Sequence, residues 1–194
     1  MNHLAHLFLA GDSDESLLGN LAGDFVKGSA RGRFTPGVWQ GIMEHRRIDA
    51  FTDSHPEAAA FRRVVAVDHG HYARVISDIF FDHLLASEWR TFTAEPLAEF
   101  LGRVYSRLDR HVEAMPGRLR VVYPLMRDEG WLISYASIDG IWRALFHLSR
   151  RFSRQPRLEM ATHLLIDARP ALLDRFHRFM PDAIAYAKEL RSAA

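Results

Sequence analysis

Asp78-Ile79-Phe80-Phe81-Asp82-His83, followed directly by Leu84-Leu85, is the stretch whose reading decides the fold. Its two carboxylates stand four residues apart, so on a helix they project from one face. Asp82 and His83 interrupt an apolar run, and a carboxylate placed there must be paired, protonated or bound to metal, because a lone buried charge is too costly. A second stretch, His45-Arg46-Arg47-Ile48-Asp49, repeats the four-residue spacing with an imidazole and a carboxylate. A third acid, Asp24, lies in Gly19-Asn20-Leu21-Ala22-Gly23-Asp24-Phe25. Three helices that each turn a carboxylate or imidazole toward one interior are a way to build a divalent metal site in an all-helical protein.

Working outward, nearly every segment reads as helix and strand alternation is scarce. A short helix is predicted over 2–10, and Ser13 caps a second that runs to about Val26 and stops at Gly28. Ser29 to Phe34 reads as a basic loop. Thr35-Pro36 is a helix start, a capping side chain followed by Pro in the first turn, and that helix runs to about Asp53. Pro56 opens a helix to about Val67, and Asp68-His69-Gly70 ends it. A long helix from about Tyr72 to Trp89 carries Asp78, Asp82 and His83. Thr93 caps a helix that ends near Met115-Pro116-Gly117, and later helices are predicted near 118–128, 138–152, 157–166 and 170–191. The prediction is all-α, one compact helical domain over 1–194, with no linker long enough to separate two domains.

The chain has 194 residues and a formal net charge of +1, so neither a nucleic-acid partner nor a membrane surface is implied. Lys27 and Lys188 are the only lysines. The remaining cations are arginines, which suit planar recognition of carboxylate and phosphate. Cysteine is absent, which excludes disulfides, thiolate-bound zinc and thiol nucleophiles and fits a reducing cytoplasm. The apolar opening lacks a basic leader and is interrupted by His6, so it does not read as a signal peptide.

Asp24, His45, Asp49, Asp78, Asp82 and His83 form a mixed oxygen and nitrogen set acceptable to a divalent cation such as manganese or magnesium. Such a site suits phosphoester hydrolysis. Each member also has a plainer reading: His45 and Asp49 as a surface helix pair, Asp78 facing solvent, His83 bonded to a backbone carbonyl, Asp24 at a helix end. Arg46 is expected to hold a phosphate oxygen, and His6 to touch the phosphate or orient a ligand. Asp53, four residues past Asp49, is a candidate partner for a ligand, and His55 before Pro56 reads as structural. Arg31 and Arg33, Arg62 and Arg63, Arg118 and Arg120, and the run Arg150, Arg151, Arg154 and Arg157 are candidate docking patches for an acidic partner.

The chain resembles the bacterial acyl carrier protein phosphodiesterase (acyl carrier protein hydrolase) family. Asn2-His3-Leu4-Ala5-His6-Leu7 matches its opening N-x-L-A-H-L. The likeness continues through Gly19–Val26, through His45–Asp49 with Thr52-Asp53, and through Asp78, Asp82-His83-Leu84 and Trp89. It is densest up to Trp89; the second half agrees in length and helix pattern. The resemblance implies removal of the 4′-phosphopantetheine arm from holo acyl carrier protein, an acidic protein substrate, by hydrolysis of the diester to serine. It also implies a divalent metal, typically manganese, and an HD-like fold. Here the chain departs from the pattern: an HD site uses a His-Asp dipeptide, and this sequence has none, carrying the reversed order in Asp82-His83. The resemblance carries over Asp24, His45, Asp49, Asp78, Asp82 and His83 as a candidate set; of these Asp24, His45, Asp49, Asp82 and His83 are the metal candidates and Asp78 a catalytic one, with Arg46 and His6 added as catalytic candidates at the phosphate. A small-phosphoester hydrolase and a non-catalytic helical module binding an acidic protein are the alternatives.

Overall fold

A computed structural model describes residues 1–192. Its helices are α1 (His3–Leu9), α2 (Asp14–Ala22), α3 (Pro36–Ser54), α4 (Pro56–His69), α5 (Ala73–Ser87), α6 (Trp89–Phe92), α7 (Leu97–Leu108), α8 (Gly117–Asp128), α9 (Trp131–Ser134), α10 (Ile138–Ser149), α11 (Leu164–Asp167) and α12 (Arg169–Ser192). Among the described residues there is no strand, and short 3₁₀ turns link several helices. No helix is long and apolar enough to cross a membrane.

The capping chemistry sets the starts. Ser13 accepts the backbone N–H of Ser16 at 3.0 Å, and Asp14 and Glu15 complement the positive end of α2. Thr35 accepts from Val38 at 3.3 Å and Pro36 occupies the first turn of α3. His55 Nδ1 accepts from Glu57 at the start of α4, the structural role expected of it. Boundaries shift where local chemistry intervenes. The second helix ends at Ala22, and Gly23–Phe25 forms a 3₁₀ turn. The helix expected from Thr93 begins only at Leu97, after Pro96, whose ring fixes the backbone before the first turn. Thr93 instead accepts from Glu95 in a tight turn. The helix expected over 157–166 is a 3₁₀ segment, Leu158–His163, followed by the single turn α11.

The core forms around α5. Ile76, Phe80, Phe81, Leu84 and Leu85 are buried on it, and α1, α4, α10 and α12 pack against it. A helix apolar on most of its circumference belongs in the middle of a helical protein. Beside this centre α2 and α3 cross closely at Gly19 and Gly41; a Cβ on Gly19 would lie 2.4 Å from the Val38 carbonyl oxygen. That crossing brings the C-terminal end of α2 over the middle of α3, where His45 sits.

Buried Glu44 ties the last helix to this pair. It accepts from Asn20 Nδ2 at 3.2 Å, Ser16 Oγ at 3.3 Å and Arg191 of α12 at 3.1 Å. Arg191 also donates to the Leu9 carbonyl.

Candidate metal and phosphate site

Four segments meet at one point. α3 presents His45 and Asp49 one turn apart, and α1 presents His6. The 3₁₀ turn after α2 brings Asp24, and α5 brings Asp78. His6, His45 and Asp49 each offer one donor atom, and these atoms all lie within 4.8 Å of one another. His6 Nε2 is 3.1 Å from Asp49 Oδ1, and His45 Nε2 is 3.4 Å from Asp49 Oδ2 and 3.3 Å from Asp24 Oδ1. The two imidazoles stack at 3.6 Å between centroids, 19° from parallel. His3 stands 3.8 Å from Asp24.

Each group is held from behind. His45 Nδ1–H donates to the Asn20 carbonyl at 2.8 Å, which fixes the ring and turns Nε2 toward the carboxylates. Gly23 leaves the space for that ring: a Cβ there would fall 2.2 Å from it. The α-amino group of Met1 donates to Asp78 at 3.1 Å and to Asp49 at 3.4 Å.

The electrostatics follow from burial against these contacts. Burial disfavours a charged His45, but the bonds to Asp24 and Asp49 outweigh it and raise its pKa to about 9. His6, desolvated and stacked on His45, drops to about 3. Two stacked imidazoles cannot both hold a proton cheaply, and the one between two carboxylates keeps it. Asp49 is depressed far below the carboxylate range, because bonds from His45 and His6 overcome its burial. Burial raises Asp78 despite the neighbouring ammonium. The set therefore contains carboxylates fixed as anions, and imidazole nitrogens aimed at the same space. Its oxygen and nitrogen donors fit a divalent transition cation, and the buried Nδ1 of His6, which has no hydrogen-bond partner, shows that ring placed for its Nε2 contact alone.

Asp24, Asp49 and Asp78 line one end of a cavity of about 860 Å³. Arg74, Arg143, His147 and Arg151 line it too, with Ile79, Trp131, Tyr135 and Phe152 among its apolar members. Acid and base thus share one concave space that also offers apolar wall.

A family model described as acyl carrier protein phosphodiesterase matches residues 1–183. The chain belongs to the acyl carrier protein phosphodiesterase family. Three similar proteins carry that name. The one from Serratia proteamaculans is 35% identical over 97% of this chain and 98% of its own length. Its counterpart from Yersinia pestis is 32% identical over 97% and 98%. A third, from Salmonella paratyphi A, is 34% identical over 96% and 97%. No solved structure matches the chain.

For this family member the structure brings together Asp24, His45, Asp49, Asp78 and His6, and gives other work to three candidates. Asp82 is fully buried, and its two oxygens accept the backbone N–H groups of Leu4 at 2.8 Å and Ala5 at 3.0 Å, capping the start of α1. His83 donates from Nδ1 to the Tyr135 carbonyl at 2.8 Å; neither residue lines the cavity. Arg46 donates to the carbonyls of Val26 at 2.8 Å and Gly28 at 2.9 Å and lies over Trp39, so its planar fork is spent on the loop and does not reach the cavity. His6, expected at the phosphate, stands among the metal-competent donors instead. Asp53 pairs with Arg62 at 2.7 Å and with Arg74 at 2.6 Å, so it steadies a cavity arginine rather than a ligand. Sequence reasoning missed Arg143 and His147. Their signal was available: Arg143, His147 and Arg151 recur every four residues, the spacing that singled out His45 and Asp49.

Proposed function

We propose that this protein removes the 4′-phosphopantetheine arm from holo acyl carrier protein with the aid of a divalent cation, manganese in first preference, held by His6, His45 and Asp49 with Asp24 and Asp78 beside them. As a member of its family the chain is a phosphoric diester hydrolase. The single observation that carries the cation assignment is the convergence of those imidazoles and carboxylates on one another, with Asp24, Asp49 and Asp78 also lining a cavity that arginines share.

When bound, such an ion polarises a phosphoryl oxygen and lowers the pKa of water. The chain's own residues supply the rest. Arg143 and Arg151 hold the non-bridging phosphoryl oxygens by charge-assisted bonds. Asp78 accepts a proton from the attacking water, and burial, which raises its pKa, makes it a better base than an exposed carboxylate. Water oxygen bonds to phosphorus, the bond from phosphorus to the serine oxygen breaks, and the proton Asp78 took from the water passes to that oxygen, which leaves as a hydroxyl on the apo carrier. The apolar wall of Ile79, Trp131, Tyr135 and Phe152 packs the pantetheine arm and keeps bulk water from the diester. The cysteine-free composition supports a cytoplasmic setting.

The test is the intact mass of purified holo carrier after incubation with the protein, with manganese or with excess chelator. Conversion to the apo mass with metal alone is the expected result. A carrier left intact by folded, metal-loaded protein would overturn the reading.

A further inference from the structure

We infer that the outward row of α10, Trp142, Phe146 and Arg150, together with Arg154 in the loop beyond, is the surface on which an acidic protein docks to deliver its prosthetic arm into the cavity. The inference rests on the functional reading above and adds to it the place of docking.

The geometry of α10 separates three faces. Ile141, Leu145 and Ser149 are buried. Gly140, Arg143, Ala144, His147, Leu148 and, just past the helix, Arg151 line the cavity. The third row, Trp142, Phe146 and Arg150, lies next to the cavity row around the helix and faces outward. Trp142 is 42% exposed and stacks on Phe146 with centroids 5.1 Å apart and planes 9° from parallel. Arg150 lies over the other end of Phe146 at 5.9 Å. An exposed tryptophan stacked on a half-buried phenylalanine forms a partly apolar surface, the composition that marks the centre of protein interfaces.

The charge around this ladder is uncompensated. Arg143, Arg150, Arg151 and Arg154 are exposed, and among the described residues none makes an ion pair or donates a hydrogen bond to protein. Many other arginines are compensated: Arg62, Arg103, Arg107, Arg127, Arg169 and Arg175 are each paired with a carboxylate. Exposed Arg31, Arg33, Arg47, Arg63 and Arg118 also lack such a partner, so what sets the present group apart is its place on or directly after α10, whose neighbouring row lines the cavity. Within the run itself Arg157 faces Glu159 at 3.7 Å. Arginines at a helix C-terminus complement the helix dipole, which accounts for Arg150 and Arg151 in part. It accounts for neither the exposed aromatic pair nor Arg154 in the loop. Asp139 stands in the first turn of α10, so the helix is acidic at its start and basic at its end. A partner with an acidic face therefore sits toward the C-terminal end, with an apolar side chain against Trp142 and Phe146. From there an arm enters a cavity whose wall is the adjacent row of the same helix.

The test is steady-state kinetics on holo carrier protein for the double variant Arg150→Glu/Arg154→Glu, for Trp142→Ala, and for Arg118→Glu as an exposed arginine on a different helix. None of these residues lines the cavity, and circular dichroism checks each fold. Both α10 variants are expected to raise KM by about tenfold or more at low salt with kcat within about twofold, and added salt is expected to raise the wild-type KM toward that of the double variant. Arg118→Glu is expected to keep the wild-type KM. Wild-type KM in both α10 variants, or an equal rise in Arg118→Glu, overturns the docking surface while the functional reading stands. A wild-type protein that leaves the carrier unconverted overturns both.

Discussion

His45 is the residue on which the site's charge balance turns. Its proton lies between Asp24 and Asp49, and that placement fixes how stability varies with pH. In the metal-free protein its pKa is about 9 against 6.5 for the free side chain. Between those values the folded state holds the extra proton, so this stabilisation is complete below 6.5 and is lost as pH rises through about 9. His6 works in the other direction. Its pKa of about 3 means that the unfolded chain takes up a proton on acidification that the folded chain refuses, so stability is lost as pH falls below 6.5. Taken together, these two contributions are largest near pH 6.5. Thermal unfolding followed by circular dichroism across pH measures it, and a midpoint still climbing at about pH 9 would contradict the assignment. A divalent cation bound as proposed would compete with the His45 proton, so metal-loaded protein is expected to show a smaller alkaline loss. At this scale the sequence was informative about residue types and poor about partners. The spacing of His45 and Asp49 exposed both. His6 was expected at the phosphate, because nothing in α1 shows that the neighbour stacked on it comes from α3.

At the scale of elements, the short helix α1 is the piece with least support of its own. Seven residues do not hold a helix in water, and α1 has no side-chain cap from its own N-terminal neighbour. Asp82 supplies that cap from the middle of α5, and in doing so sets where His6 points. Asp82→Ala is expected to cost about 2 kcal/mol in chemical denaturation, the loss of two buried bonds to a carboxylate. It should still bind one equivalent of metal at saturation, with weaker affinity. Loss of stoichiometric binding in a folded variant would return Asp82 to the ligand set. The apolar flanks of Asp82 made it plain from sequence that the carboxylate could not be idle. They could not tell a cap from a ligand, because the groups that satisfy it lie 77 and 78 residues away. Capped starts such as Ser13 and Thr35 were legible for the opposite reason: donor and acceptor are three residues apart.

Over the whole molecule, the site depends on contacts that join the two ends of the chain. Arg191 holds Glu44, Glu44 holds Asn20, and the Asn20 carbonyl aims His45. Arg191→Ala is expected to lower stability by roughly 1–3 kcal/mol, since it leaves Glu44 buried with its cation removed. It is also expected to weaken metal binding more than Arg178→Ala does, because the Arg178 pair with Asp174 is exposed and remote from Asn20. Calorimetric titration of the metal into both variants separates the two effects. Equal affinities would show that the brace serves the fold alone. The all-helical class was readable in advance because it rests on periodicity, repeated in every segment. Long-range pairings such as this one leave no periodic trace.

That brace also has a meaning in time. A ribosome delivers His6, Asp24, His45 and Asp49 early and Arg191 late, so the donors of the site emerge well before the strut that steadies them. A half-made chain thus carries those side chains without the strut that steadies them. The last helix supplies it when Arg191 reaches Glu44.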